Sequence, residues 1–273
     1  MKQIIILLLL LLSVSTQSQS KKLNKIKEIK RSVDQKGAIS IETTKTYDVV
    51  YKGDNIEKFV NNSAEVVNNI QGQSGVSTMK YNFEIVFSYD SSNNLILREE
   101  RDANTKNLKS KIEFVYNSKN QLIELNSFGT NATIPRKWKF NYISNKMSEI
   151  IWMNTLGNYD RKDKIIWKNN NPINVNSYEP SGKLFNTISI KYDLSKTNKF
   201  NRDFSAFFAQ NIIFEVNNIY QYLCENEIIQ IIEPNNKFNK NPLPYEIEYD
   251  FNGYPVRIKR GAKGGIEYFF TYQ

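Results

Sequence analysis

Phe87-Ser88-Tyr89-Asp90-Ser91-Ser92-Asn93-Asn94-Leu95-Ile96 is the stretch from which the rest of the chain can be read. Two aromatic residues flank a small one, a polar run follows, and an apolar pair resumes. The same grammar returns at Phe114–Ile123 (FVYNSKNQLI), Phe140–Ile150 (FNYISNKMSEI) and Ile166–Val175 (IWKNNNPINV). A degenerate copy precedes them at Val50–Phe59, and another follows at Glu248–Ile258. The anchors Tyr89, Tyr116, Tyr142, Trp167 and Tyr192 are separated by 27, 26, 25 and 25 residues. A fixed period with a repeated internal order marks a repeat architecture.

Within each copy the apolar positions alternate. Tyr81, Phe83, Ile85, Phe87 and Tyr89 share one face, while Asn82, Glu84, Ser88 and Asp90 share the other. The pattern recurs in Ile112/Phe114/Tyr116, Trp138/Phe140/Tyr142, Ile188/Ile190/Tyr192, Tyr245/Ile247/Tyr249 and Tyr268/Phe270/Tyr272. Period two in aromatic and β-branched residues is the signature of half-buried antiparallel strands. The polar runs Asp90–Asn94, Asn117–Gln121, Lys168–Asn171 and Asp250–Gly253 supply residues that tolerate positive φ. Each unit thus reads as strand, short turn, strand, and the chain as an all-β antiparallel meander of hairpins. About 12 to 14 strands exceed what a flat sheet usually carries, so a strongly curled sheet or open barrel is expected.

The rhythm breaks between about 193 and 222. There Asp203–Gln210 carries Phe204, Phe207 and Phe208 at helical spacing behind an N-capping Asp203, which predicts one short helical insert. The last hairpin closes through Gly261–Gly265 into Ile266–Tyr272, an apolar strand that needs a partner on its edge.

Residues 1–20 read as a cleaved secretory signal: a Lys2 start, the apolar run Ile4–Leu12, then the small polar Ser13–Ser20. The run is far shorter than the ~20 residues of a membrane-spanning helix. Cleavage is expected between Ser15 and Lys21, leaving 21–273 as a single β-meander repeat domain with no transmembrane helix. No Cys stands near the junction to accept a lipid. Export through the Sec pathway to a periplasmic or extracellular location follows. Cys224 is the sole cysteine, which excludes an intramolecular disulfide, and it reads as a small buried hydrophobe. The net charge of +9 suits anionic partners, but apart from Lys21–Arg31 the charges do not cluster, and nucleic acid is not expected.

The chain contains no His, which excludes Ser-His-Asp and Cys-His catalysis and the usual zinc sites. The Gly261-Ala262-Lys263-Gly264-Gly265 segment lacks the spacing of a phosphate loop. Carboxylate chemistry is the remaining hydrolytic option. Glu99, Glu100 and Asp102 alternate along a strand, however, and Asp160 and Asp163 lack the dense oxygen loop of a calcium site. No catalytic residue, metal or cofactor is assigned. Trp138 and Trp167 fall on the inward pattern. Trp152, read as facing out, and Tyr159 in the next loop are the ligand-contact residues, because an aromatic face packs on the C–H surface of a sugar.

The unit F-x-Y-D/N-x-x-N-x-L-I resembles the tyrosine–aspartate (YD, or Rhs-type) repeats of bacterial surface and secreted proteins. The layout more closely resembles a secreted bacterial family of unknown function with a porin-like fold. The matching features are the signal segment, the hairpin meander, an irregular insert and a closing motif at Tyr245–Ile258. Tyr142-Ile143 and Trp167-Lys168 depart from the pattern by lacking the acidic residue. The resemblance implies a fold and a compartment and transfers no catalytic residue. Taken together, a secreted or periplasmic non-catalytic binding module is expected, its partner a glycan or a cell-envelope protein. The alternatives are an outer-membrane β-barrel and, behind it, a cryptic carboxylate hydrolase.

Overall fold

The structure is a computed structural model that describes residues 21–33, 38–70, 73–79, 82–130, 132–197, 224–232, 243–260 and 265–273. The signal segment, the helical turn expected at 203–210 and the 261–264 turn lie outside the described residues.

Among the described residues, seventeen strands form one antiparallel sheet. The first five are β1 (Leu23–Val33), β2 (Ile39–Lys52), β3 (Asn55–Ile70), β4 (Gln73–Met79) and β5 (Phe83–Tyr89). Next come β6 (Leu95–Asp102), β7 (Leu108–Tyr116), β8 (Leu122–Phe128), β9 (Arg136–Ile143), β10 (Lys146–Met153) and β11 (Tyr159–Lys168). The last six are β12 (Asn171–Tyr178), β13 (Leu184–Thr197), β14 (Asn226–Ile232), β15 (Leu243–Tyr249), β16 (Pro255–Arg260) and β17 (Ile266–Tyr272). The count exceeds the expected 12 to 14 because the first quarter of the chain is also a meander. Only its Val50–Phe59 portion carries the repeat grammar. β13 also continues past Tyr192 to Thr197, where the sequence suggested the insert had begun.

Every strand pairs with its neighbour in sequence except at β3, whose first half pairs with β5 and whose second half pairs with β4. β4 and β5 thus act as one interrupted strand. The ring then closes, because β1 pairs with both β2 and β17. The apolar last strand, which would be a liability at a free edge, is paired on both sides by β1 and β16. Among the described residues the narrowest link is β14 to β15, joined by Gln230↔Pro244 and Ile231↔Leu243.

The turns explain where the repeat keeps its aspartate and where it does not. Asp90 Oδ1 accepts from the backbone N–H groups of Ser92 (2.8 Å) and Asn94 (2.9 Å), while Asn93 takes φ 66°. Asn117 and Asp250 do the same for their turns, with Asn120 and Gly253 at the positive-φ position. A short side-chain acceptor preorganises the turn, and Asn or Gly accepts the left-handed backbone. The two copies without the acidic residue close instead through Ser144-Asn145 and Asn169-Asn170, all four residues at positive φ. That is the two-residue hairpin turn, which needs no side-chain acceptor.

The anchor aromatics form an interlocking belt at the rim where these turns lie. The hydroxyl of Tyr116 donates to the Leu95 carbonyl (3.0 Å), Tyr142 to Leu122 (2.9 Å), Tyr192 to Pro172 (2.6 Å) and Tyr272 to Pro255 (2.7 Å). Trp167 Nε1–H does the same to Met147 (2.7 Å), and Tyr89 reaches Ile56 (3.0 Å). Each anchor therefore ties its hairpin to the first residues beyond the preceding turn. The rings are half-buried against the core. Burial pushes the phenols of Tyr116 and Tyr142 up to about 12, so they remain donors throughout the physiological range.

Below the belt the inward face is mostly apolar. Ile26, Phe59, Ile85, Ile112, Leu125 and Val175 are fully buried, and Tyr47, Phe59, Phe83 and Phe87 meet edge to face. The outward face carries the ions: Lys58 and Lys106 on Glu84, Lys111 on Glu113, Lys137 on Glu124, and Arg31 and Arg257 on Glu267.

Candidate functional site

Strands β10 and β11 carry the residues singled out in the sequence, and their two faces differ. A bulge between Met147 and Glu149 shifts the alternation of β10. As a result Ile150 and Trp152 face inward, and Ile151 and Met153 face outward. Trp152 stands directly across from the buried Trp138, with ring centroids 5.4 Å apart at 69°. The outward orientation expected for Trp152 is therefore corrected, and the bulge is the reason: without it the parity would be reversed.

The indole of Trp152 is fully engaged. Its Nε1–H donates to Asp163 Oδ2 at 2.7 Å, and the Arg161 guanidinium lies 4.0 Å above the ring. Arg161 also donates to the same carboxylate oxygen at 2.9 Å. Asp163 is fully buried opposite Ile150, and the inward row continues through Ser177 to Asn186. Asp163 Oδ1, Arg161 Nε and Asn186 Oδ1 are buried without a hydrogen-bond partner among the described residues. Arg98, between Phe87 and Ile112, is another inward ion; its Nε is likewise unpaired and its second nitrogen meets Glu100 at 3.3 Å. Burial lowers the pKa of Arg98, with Glu100 opposing. These groups bond one another across β10 and β11, so the cluster reads as a structural network.

The outward face of the same strands holds open space. A groove of about 490 Å³ is lined by Ile151, Met153, Tyr159, Lys162, Lys164, Tyr178, Pro180 and Gly182. Its position follows from pairing: Lys162 lies across from both Ile151 and Tyr178, and Tyr159 pairs with Met153. The turn Glu179–Lys183, with Gly182 at φ 84°, closes one end. Lys164 Nζ lies 5.5 Å from the Tyr178 ring centre, and Lys162 Nζ lies 3.8 Å from Glu149. Tyr159 thus lines the groove while Trp152 stands on the other face of the sheet. Tyr178 and Lys164 were not singled out in the sequence. The outward alternation Asn174, Asn176, Tyr178 carries the only signal for Tyr178, and it is legible only once the phase of β12 is known.

The remaining carboxylates are also divided between the faces. Glu99 pairs with Arg101 outside, Glu100 faces inward beside Arg98, and Asp102 caps its turn by accepting from Asn104 and Thr105. Asp160 is exposed and Asp163 is buried. Among the described residues no group of three or more His, Cys, Asp or Glu side chains could hold a metal ion. Cys224 is buried and forms no disulfide.

No family model matches the chain, and no curated protein does. Solved structures do. A porin-like protein from Bacteroides uniformis is 11% identical, with 92% of this chain and 96% of that chain covered, at a TM-score of 0.53. A porin-like protein from Bacteroides vulgatus is 10% identical over 92% and 99% of the two chains, at a TM-score of 0.26. The TcdB2–TccC3 structure is 9% identical over 84% of this chain and 16% of that one, at a TM-score of 0.32. The likeness to the B. uniformis protein shows the fold: the chain has a porin-like, all-β barrel architecture.

Proposed function

We propose that the chain is a secreted or periplasmic β-barrel module that works in water and binds a glycan or an envelope protein without catalysis. The observation that carries this reading is the outer surface. Ion pairs stand at outward positions on each of β1 to β3, β5 to β11 and β15 to β17. A barrel embedded in lipid instead presents an apolar band about 25 Å tall, and each charge at mid-membrane costs roughly 2–4 kcal/mol for Arg or Lys. With most of the apolar core inside and most ion pairs outside, the inward Arg98, Arg161 and Asp163 apart, this barrel has the opposite sidedness. The rigid meander then serves to display variable turns and the strand ends beside them.

Cell fractionation after expression of the full chain tests the reading. The expected result is recovery from the osmotic-shock or culture fraction without detergent, with an N-terminus between Ser15 and Lys21. Recovery only from detergent-extracted outer membrane would sink it.

A further inference from the structure

We infer that the outward groove on β10 to β12 is a binding site for an acidic oligosaccharide, an assignment that rests on the reading of the chain as a binding module. A ligand that fits this groove must satisfy two demands at once. The first is apolar and aromatic: Ile151 and Met153 form the floor, and Tyr159, Tyr178 and Pro180 stand beside it. The second is cationic: Lys162 and Lys164 are alternate residues of β11 and share one face, and the lining holds no carboxylate, the nearest being Glu149, 3.8 Å from Lys162 Nζ outside it.

Pyranose rings answer both demands. Their C–H faces pack on tyrosine, their hydroxyls meet ammonium donors, and a uronic carboxylate adds charge-assisted hydrogen bonds to lysine. A small inorganic anion would leave the apolar floor unused. A purely apolar molecule would bury the lysines against hydrocarbon at a cost. The volume of about 490 Å³ lies within the range of roughly 300–1,000 Å³ typical of small-molecule sites. The net charge of +9 attracts a polyanion to the surface before it docks.

Titration calorimetry tests the assignment with the chain purified after export. A uronic-acid oligosaccharide is compared with a neutral hexose oligosaccharide of the same length, at low and high salt. The acidic sugar should bind, and added salt should weaken it. Tyr178→Ala should weaken binding by about three- to tenfold. Lys164→Gln should weaken the acidic sugar and flatten its salt dependence. Tyr178→Phe keeps the ring and should bind nearly as wild type, which separates loss of a contact from loss of the fold. Lys119→Gln, on a turn at the opposite rim, should change nothing. Equal affinity for both sugars would overturn the acidic specificity. Absence of binding, or binding indifferent to Tyr178→Ala, would overturn the site. In either case a detergent-free fractionation result would leave the secreted-module reading intact.

Discussion

At the anchor end of the barrel, the hydroxyls of Tyr89, Tyr116, Tyr142, Tyr192 and Tyr272 each meet a backbone carbonyl. Toward the other end of the same inner wall, Arg98, Arg161 and Asp163 are inward ions with buried atoms unpaired among the described residues. The contrast separates two kinds of polar burial. The tyrosines keep their charge-free donors at the rim, where a carbonyl freed by the preceding turn is waiting. Each bond is then a modest net gain, and the repeat multiplies it. The ions have no such repeat-supplied partner. They carry a desolvation penalty that their mutual attraction offsets only in part.

The largest test of this contrast is at the Arg161–Asp163 pair. Asp163→Leu alone should destabilise the fold by about 2 kcal/mol, because it strands the Arg161 charge and the Trp152 N–H. Replacing both residues by Leu should recover the part of that loss that comes from the stranded Arg161 charge, with the Trp152 N–H still unpaired. Denaturant unfolding of the single and double variants decides it. A double variant less stable than the single one would erase the distinction between the two ends. The next effect is smaller and belongs to the belt. Tyr116→Phe keeps the ring and removes the bond to Leu95, and should cost about 1 kcal/mol in the same assay. No measurable loss would show that the belt is packing alone.

The smallest test is by pH. Glu28 shares the inward face with Tyr268, across from Lys45. Burial raises its pKa above the ordinary 4.5, and Lys45 and Lys30 pull against that rise. A carboxyl with a raised folded pKa contributes stability below its unfolded value and loses it as pH climbs through the folded value. Glu28→Gln should therefore raise the melting temperature near neutral pH, with the gain fading as pH falls below about 4.5. A gain of equal size in acid would show that the effect is not ionic. Glu84 supplies the opposite sign. Burial would raise its pKa, but Lys106 and Lys58 outweigh it and hold it below the ordinary value, so its stabilisation is lost only in acid.

Much of the fold was legible. The alternation Phe83, Ile85, Phe87 correctly named buried residues, because a strand's two faces follow from period two alone. The turns were legible because Asn and Gly at fixed offsets answer a local steric demand. β4 and most of β2 and β3 were not, since their polar Thr- and Asn-rich alternation lacks the aromatic anchor. At the candidate site the sequence singled out Tyr159, expected in a loop and standing instead at the start of β11, and mistook the face of Trp152. One extra residue in β10 reverses parity, and nothing in the local pattern announces a bulge.

The sequence by itself determined the strands of the anchored repeats, most of their inward face, their turn positions and the aromatic belt. All of these depend on residues within a hairpin or on the next one along. Only the tertiary structure decided that the sheet closes, that the ions of β6 and β11 are inside, and that Tyr159 joins Tyr178 and two lysines around open space. Closure pairs β1 with β17, almost the whole chain apart. The groove depends on the register of three strands at once. Such long-range register leaves no periodic trace in the residues that obey it.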